Sequence, residues 1–137
     1  MARIVLTNAY VTVNSVDVSD HVASVTLNSS IDVIETTAFG TTGARSRIGG
    51  LADNSISLEF HQDYASTSIE ATIYPLLGST TTVVVKPNGG TTSATNPSYT
   101  ATALVSEWTP LNGAVGELAT ASVTWPVSGA ITKSTTA

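Results

Sequence analysis

Residues 22–39 read VASVTLNSSIDVIETTAF, and the period assigned to this stretch decides the fold. Counted in twos, Val25, Leu27, Ile31 and Val33 stand at odd positions, while Ser24, Thr26, Asn28, Ser30 and Asp32 fill the even ones. Successive side chains of a strand point to opposite faces, so the pattern predicts one long strand with a dry face and a wet face. Downstream, Ile56, Leu58 and Phe60 alternate with Ser57, Glu59 and His61 in the same manner, and the two strands are expected to share a sheet.

Working outward, Val11, Val13, Val16 and Val18 fall on one face if Asn14-Ser15 is a two-residue hairpin turn, which needs the positive φ that Asn tolerates. Between Asp63 and Gly78 the period changes. Thr67-Ser68-Ile69-Glu70 fits a capping box, Ile69 and Ile73 lie four apart with Leu76 and Leu77 beyond, and Gly78 suits a helix end. Pro75 removes a hydrogen bond and clashes one turn back, so a short helix within 67–77, ending or kinking near Tyr74, is predicted. Thr80–Lys86, Ser98–Trp108 and Leu118–Val127 read as further strands, punctuated by Pro87-Asn88-Gly89-Gly90 and Pro110-Leu111-Asn112-Gly113. Residues 129–137 are expected to form a flexible tail. The whole is a single domain, 1–137: mainly β, an antiparallel β-sandwich or barrel with one short flanking α-helix.

Composition supports strands. Ser and Thr make up 40 of the 137 residues, charged residues only 11%, and Val and Thr dominate the apolar runs, a mixture that favours pleated structure. The formal net charge of -5 argues against a protein that grips nucleic acid through a basic patch. Absence of cysteine removes disulfides, thiol catalysis and Cys-based metal sites together. The apolar run in residues 1–7 is too short for a signal peptide, and no apolar run exceeds four residues, so synthesis in a cytoplasm without membrane insertion is expected.

No catalytic or metal residues are assigned, no cofactor is expected, and the chain does not read as an enzyme. Glu59 and His61 share a strand face, but no third group is implied beside them. No G-x-S-x-G motif accompanies the many serines. Asp17, Asp20 and Asp53 lack EF-hand spacing and suit turns. GARSRIGG, residues 43–50, matches neither phosphate-loop pattern.

That glycine-rich segment lies in a connection expected from Thr36 to Asn54, far longer than a hairpin needs. It holds Arg45 and Arg47, two of only five Lys and Arg residues. A solvated loop has no use for Phe39, Ile48 and Leu51, so the segment reads as an arm whose apolar residues anchor on a neighbouring subunit while its arginines meet acids.

The ordered segments VNSVDVSDHV, GGLADNSISLEFHQDY, YPLLG, TTTVVVKP and SATNPSYTATALVSEWTPLNGAVGELATASVTW, over about residues 3–127, resemble tail tube proteins (major tail proteins) of long-tailed, siphovirus-like phages infecting actinobacteria. The resemblance implies a structural virion protein, made in the host cytoplasm and located in the tail. Copies would form hexameric rings stacked into a hollow tube through which double-stranded genomic DNA passes during infection. It implies tape measure, tail terminator and distal tail proteins as partners. It places Phe39, Arg45, Arg47, Ile48 and Leu51 in an inter-subunit loop. Ser24, Thr26, Asn28, Asp32, Ser57 and Glu59 become candidates for lining the lumen, where short neutral side chains with scattered carboxylates neither grip nor trap a phosphate backbone. The plain alternative for those six residues is the solvated side of a two-faced sheet.

A minor tail or tail-completion protein of the same fold is an alternative. So is a monomeric β-sandwich carbohydrate-binding module using Tyr99, Trp108 and Trp125 as stacking platforms. Trp125 falls in the apolar register of its strand, which weakens that rival.

Overall fold

The Asn14-Ser15 turn closes the first hairpin in the computed structural model, which describes residues 3–40, 43–66 and 68–136. β1 (Tyr10–Val13) pairs with β2 (Val16–Asp17), and both turn residues take positive φ, 53° and 67°. This mirror-image turn matches the natural twist of the strands it joins. It delivers Val11, Val13 and Val18 to the core, with Val16 packed against them.

A 3-10 turn at Ser19–His21 leads into β3 (Val22–Glu35), which pairs antiparallel with β4 (Arg47–His61) from end to end. α1 (Ile69–Ile73) passes into a 3-10 turn, Tyr74–Leu76, at Pro75, where the missing N–H prevents continuation. Ile69 and Ile73 are its buried residues. Ser68 is the N-cap; Thr67, the first residue of the expected capping box, lies outside the described residues. β5 (Thr80–Lys86), β6 (Ser98–Leu104), β7 (Thr120–Val127) and β8 (Thr132–Ser134) complete the fold.

All strands join in one antiparallel sheet in the order β2-β1-β5-β6-β7-β4-β3, with β8 pairing β6. β6 and β7 share only the pair Ala103 and Val127, so the sheet folds at this corner into two halves whose apolar faces meet. β4 and β7 contribute Ile56, Leu58, Phe60, Ala121, Val123 and Trp125; the other half contributes Val11, Val13, Val83 and Ala103. Phe60 sits between Trp108, edge-on at 5.6 Å, and Trp125 at 6.4 Å.

Among the boundaries that differ from the sequence reading, three bear on the candidate surface and the core. The strand expected to reach Trp108 ends at Leu104, because Val105 bonds through its N–H to Ser79 and its carbonyl to Gly78, and Trp108 turns into the core to donate to Glu70 Oε2 at 2.7 Å. The tail expected to be flexible contains β8, whose Ser134, Lys133 and Thr132 pair with Ser98, Tyr99 and Thr100. The connection expected to run from Thr36 to Asn54 spans only residues 36–46, because β4 begins at Arg47. Gly49 and Gly50 are therefore strand residues. A Cβ on Gly49 would lie 3.1 Å from Ile31 Cγ2, and one on Gly50 would lie 2.7 Å from Ile34 Cδ1. Glycine is what lets β4 pass beneath the facing isoleucines.

Candidate assembly surface

Asn54 marks where the domain body ends and an arm begins. Its buried side chain accepts from Ser29 Oγ at 2.6 Å and donates to the Gly129 carbonyl at 3.1 Å, tying β4 to β3 and to the chain after β7. From Asn54 to His61 the β4 side chains alternate between buried and half-buried; from Arg47 to Asp53 none is buried. β3 follows suit, with Val25 and Leu27 packed on the core and every residue from Asn28 to Glu35 exposed. β3 and β4 therefore continue past the body as a two-stranded ribbon.

Within the ribbon, Ile31 opposes Ala52 and Val33 opposes Gly49, so Asp32 faces two residues, Gly50 and Leu51. This bulge re-aims the outer part of the arm relative to the body. The arm exposes Ile31, Val33, Ile34, Ile48 and Leu51. A two-stranded ribbon is marginal in water, and one with five bare large apolar side chains gains most from a covering surface.

At the tip, Thr36 N–H donates to the Ser46 carbonyl at 2.8 Å and Ser46 N–H to Thr37 Oγ1 at 2.9 Å. Gly40 and Gly43 take φ of 92° and 89°, conformations that L side chains resist. Phe39 is fully exposed. Arg45 Nη1 meets Glu35 Oε1 at 3.3 Å, and Arg47 stands opposite Glu35 in the ladder. An exposed pair of this kind is weak and readily exchanged for another acid. The five expected arm residues are thus brought together, and Ile31, Val33 and Ile34 join them. Alternation had placed Ile31 and Val33 on a dry face, and that face runs out of core at Asn28.

Of the six polar residues offered for the lumen, Ser24, Thr26, Asn28, Ser57 and Glu59 share one face of the β3–β4 pair, whereas Asp32 sits at the bulge in the arm. Ser24 pairs with Glu59, Thr26 with Ser57, and these continue to Ser122 and Thr124 of β7; Ser57 Oγ and Thr124 Oγ1 are 3.1 Å apart. No Lys or Arg occurs in residues 22–35, 53–61 or 120–127, so this outer face carries carboxylates without cations.

Sequence reasoning missed two features. The first is a bridge in which His21 Nδ1 lies 2.9 Å from Asp20 Oδ1 and His21 Nε2 lies 2.9 Å from Asp63 Oδ2. The Asp20 bond, then the charges of Asp20 and Asp63, hold the imidazole above its ordinary range despite partial burial. Asp63 is held below the usual carboxylate range, first by the Ala65 N–H, then by the Ser68 hydroxyl, with His21 adding to both. The second is a group of exposed apolar side chains, Leu111, Val115 and Leu118, between β6 and β7. A turn-rich segment offered no period by which to single them out.

Of the proposed stacking platforms, Trp125 is fully buried and Trp108 nearly so, while Tyr99 is half-buried. Both indoles are core residues whose N–H groups are engaged, Trp108 by Glu70 and Trp125 by the Glu107 carbonyl.

No protein-family model matches the chain, and no curated protein does. Solved structures do. The chain is similar to one in the tail of an empty GTA particle with C6 symmetry, at TM-score 0.64 and 16% identity over 82% of this chain and 81% of that one. A chain in the virion of a native gene transfer agent (GTA) particle gives 0.64 and 15% over 83% and 85%. A chain in the PVC sheath-tube complex of an extracellular contractile injection system, in its extended state, gives 0.71 and 13% over 97% and 92%. The shared property is the fold, which is tail-tube-like.

Proposed function

We propose that this chain is a structural subunit that associates with itself into six-membered rings, stacked as the hollow tube of a phage or phage-like tail. The observation that carries the reading is the apolar β3–β4 arm, which no other part of the described chain covers. Likeness of fold to chains from a C6-symmetric tail and from a sheath-tube complex agrees with it. In this reading Phe39, Arg45, Arg47, Ile48 and Leu51 engage a neighbouring subunit. The cation-free face with Ser24, Thr26, Asn28, Ser57 and Glu59, together with Asp32 of the arm, lines the lumen, where double-stranded DNA slides without being held. The chain acts by assembly and not by catalysis, in the tail of a virion, alongside length-setting and tube-ending partners. The carbohydrate-module reading loses two of its three platforms, Trp108 and Trp125, to the core.

Negative-stain electron microscopy with light scattering over a concentration series tests this. Wild-type protein should give rings or hollow tubes. A variant in which Asn-Gly replaces residues 32–51, joining the register partners Ile31 and Ala52, should stay a folded monomer. Tubes from both proteins would remove the arm from the assembly, and a wild type that stays monomeric throughout would sink the self-association reading.

A further inference from the structure

β4 begins at the arm and ends at the opposite pole of the domain. Its 15 residues, at about 3.3 Å each, span roughly 50 Å. At the far pole His61 pairs with Thr120, Gln62 N–H donates to the Ala119 carbonyl, and Thr120 N–H donates to the Asn112 carbonyl. The segment 110–119 is thereby fixed at the end of β4 away from the arm.

This segment presents Leu111, Val115 and Leu118 at 80%, 105% and 62% exposure. Its base is anchored: the Pro110 carbonyl accepts from Gln62 Nε2 at 2.9 Å and from the Tyr64 hydroxyl, and Asn112 Nδ2 donates to the Thr120 carbonyl. Three large apolar side chains held outward on an anchored loop mark a contact surface.

The charge around them has one sign. Residues 105–119 contain Glu107 and Glu117 and no cation. Glu107 accepts from the Thr124 N–H at 2.8 Å, which leaves Glu117, on the exposed turn closed by its own N–H to the Ala114 carbonyl. The arm tip has the opposite character, carrying Phe39, Arg45 and Arg47 with a single acid, Glu35. Apolar matches apolar and anion matches cation, the arrangement by which interfaces fix register and partner. At roughly 50 Å along the strand, no chain can bring its own arm to its own loop.

We infer that loop 110–119 is the receptor for the arm tip of a second copy, with Phe39 against the Leu111, Val115 and Leu118 group and Glu117 facing the arm's arginines. Because donor and receptor stand at opposite poles, the contact is head-to-tail and leaves one arm and one loop free at the ends, so it repeats without closing. The inference rests on the self-association reading and adds the surface that propagates it.

The chain has no cysteine, which makes disulfide trapping clean. Phe39→Cys and Val115→Cys variants, one of them isotope-labelled, are mixed under assembly conditions and mildly oxidised. The expected product is a mixed disulfide of one labelled and one unlabelled chain, absent when either variant is oxidised alone. Glu117→Lys should shorten the assemblies, and combining it with Arg45→Glu and Arg47→Glu should lengthen them again. Cross-linking by either variant alone, or tubes without the mixed disulfide, would overturn the receptor while leaving self-association standing. Wild-type protein without any assembly would overturn both.

Discussion

His21 Nε2 lies 2.9 Å from Asp63 Oδ2, tying the turn that precedes β3 to the chain that leaves β4. Nδ1 of the same ring faces Asp20 at the same distance. Carboxylates only accept, so the imidazolium, with both N–H groups donating, is the form that satisfies both neighbours.

Stability therefore depends on pH in a defined direction. The contribution of His21, whose pKa is raised, is complete below about pH 6.5 and fades as pH rises through its folded value. That of Asp63, whose pKa is lowered, is present above about pH 3.8 and fades as pH falls through its folded value. Asp17 and Asp20 are the other charged groups lining the same hollow. The thermal midpoint should fall between pH 6 and pH 9, and His21→Gln should flatten that decline. Equal slopes in the two proteins would mean that the bridge contributes nothing.

Ser15 occupies φ of 67° in the β1–β2 turn, a conformation that costs an L residue about 1 kcal/mol. Ser15→Gly should raise stability by up to about that amount, and Ser15→Val should lower it. Chemical denaturation reads both. A destabilising glycine would show that the hydroxyl matters more than the backbone.

Gly50→Val should disturb the arm and spare the body, since its branches would meet Ile34 and the Asp32 Cβ, 3.2 Å from an ideal Cβ at this site. Hydrogen exchange should show faster amides in residues 31–35 and 47–52, with protection of residues 54–61 unchanged. Ile34→Ala in the same chain should restore part of the lost protection, as coupled neighbours do.

Phe60→Ala removes the ring between Trp108 and Trp125 and should cost about 3–5 kcal/mol. Leu111→Ala, at an exposed site, should stay within about 0.5 kcal/mol. Comparable losses at both positions would contradict the burial assigned to them.

The sequence was most readable where one local rule acted alone. Asn14-Ser15 announced its turn, Pro75 its helix end, and the alternation of residues 56–60 its buried face. It was least readable where a residue answers to a distant one. Gly49 and Gly50 read as loop residues because nothing adjacent shows that Ile31 and Ile34 lie across them. Thr132–Ser134 read as tail because β8 owes its existence to the open edge of β6. Of the candidate surface, the arm residues were legible as apolar and cationic outliers in a polar stretch. The His21 bridge was not, since Asp63 lies 42 positions away in the chain and only the packed domain brings it near.

β7 lies between β4 and β6 although it is the last long strand in the chain. During synthesis the ribosome releases both flanking pieces before the strand that joins them, so a nascent chain holds two half-sheets with bare apolar faces until residues 120–127 emerge. The folding step is gated by the late arrival of Trp125 and its neighbours. Under the proposed function, an unfinished copy would present neither a finished outer face nor an anchored far pole, so only completed chains would be competent to add to the assembly.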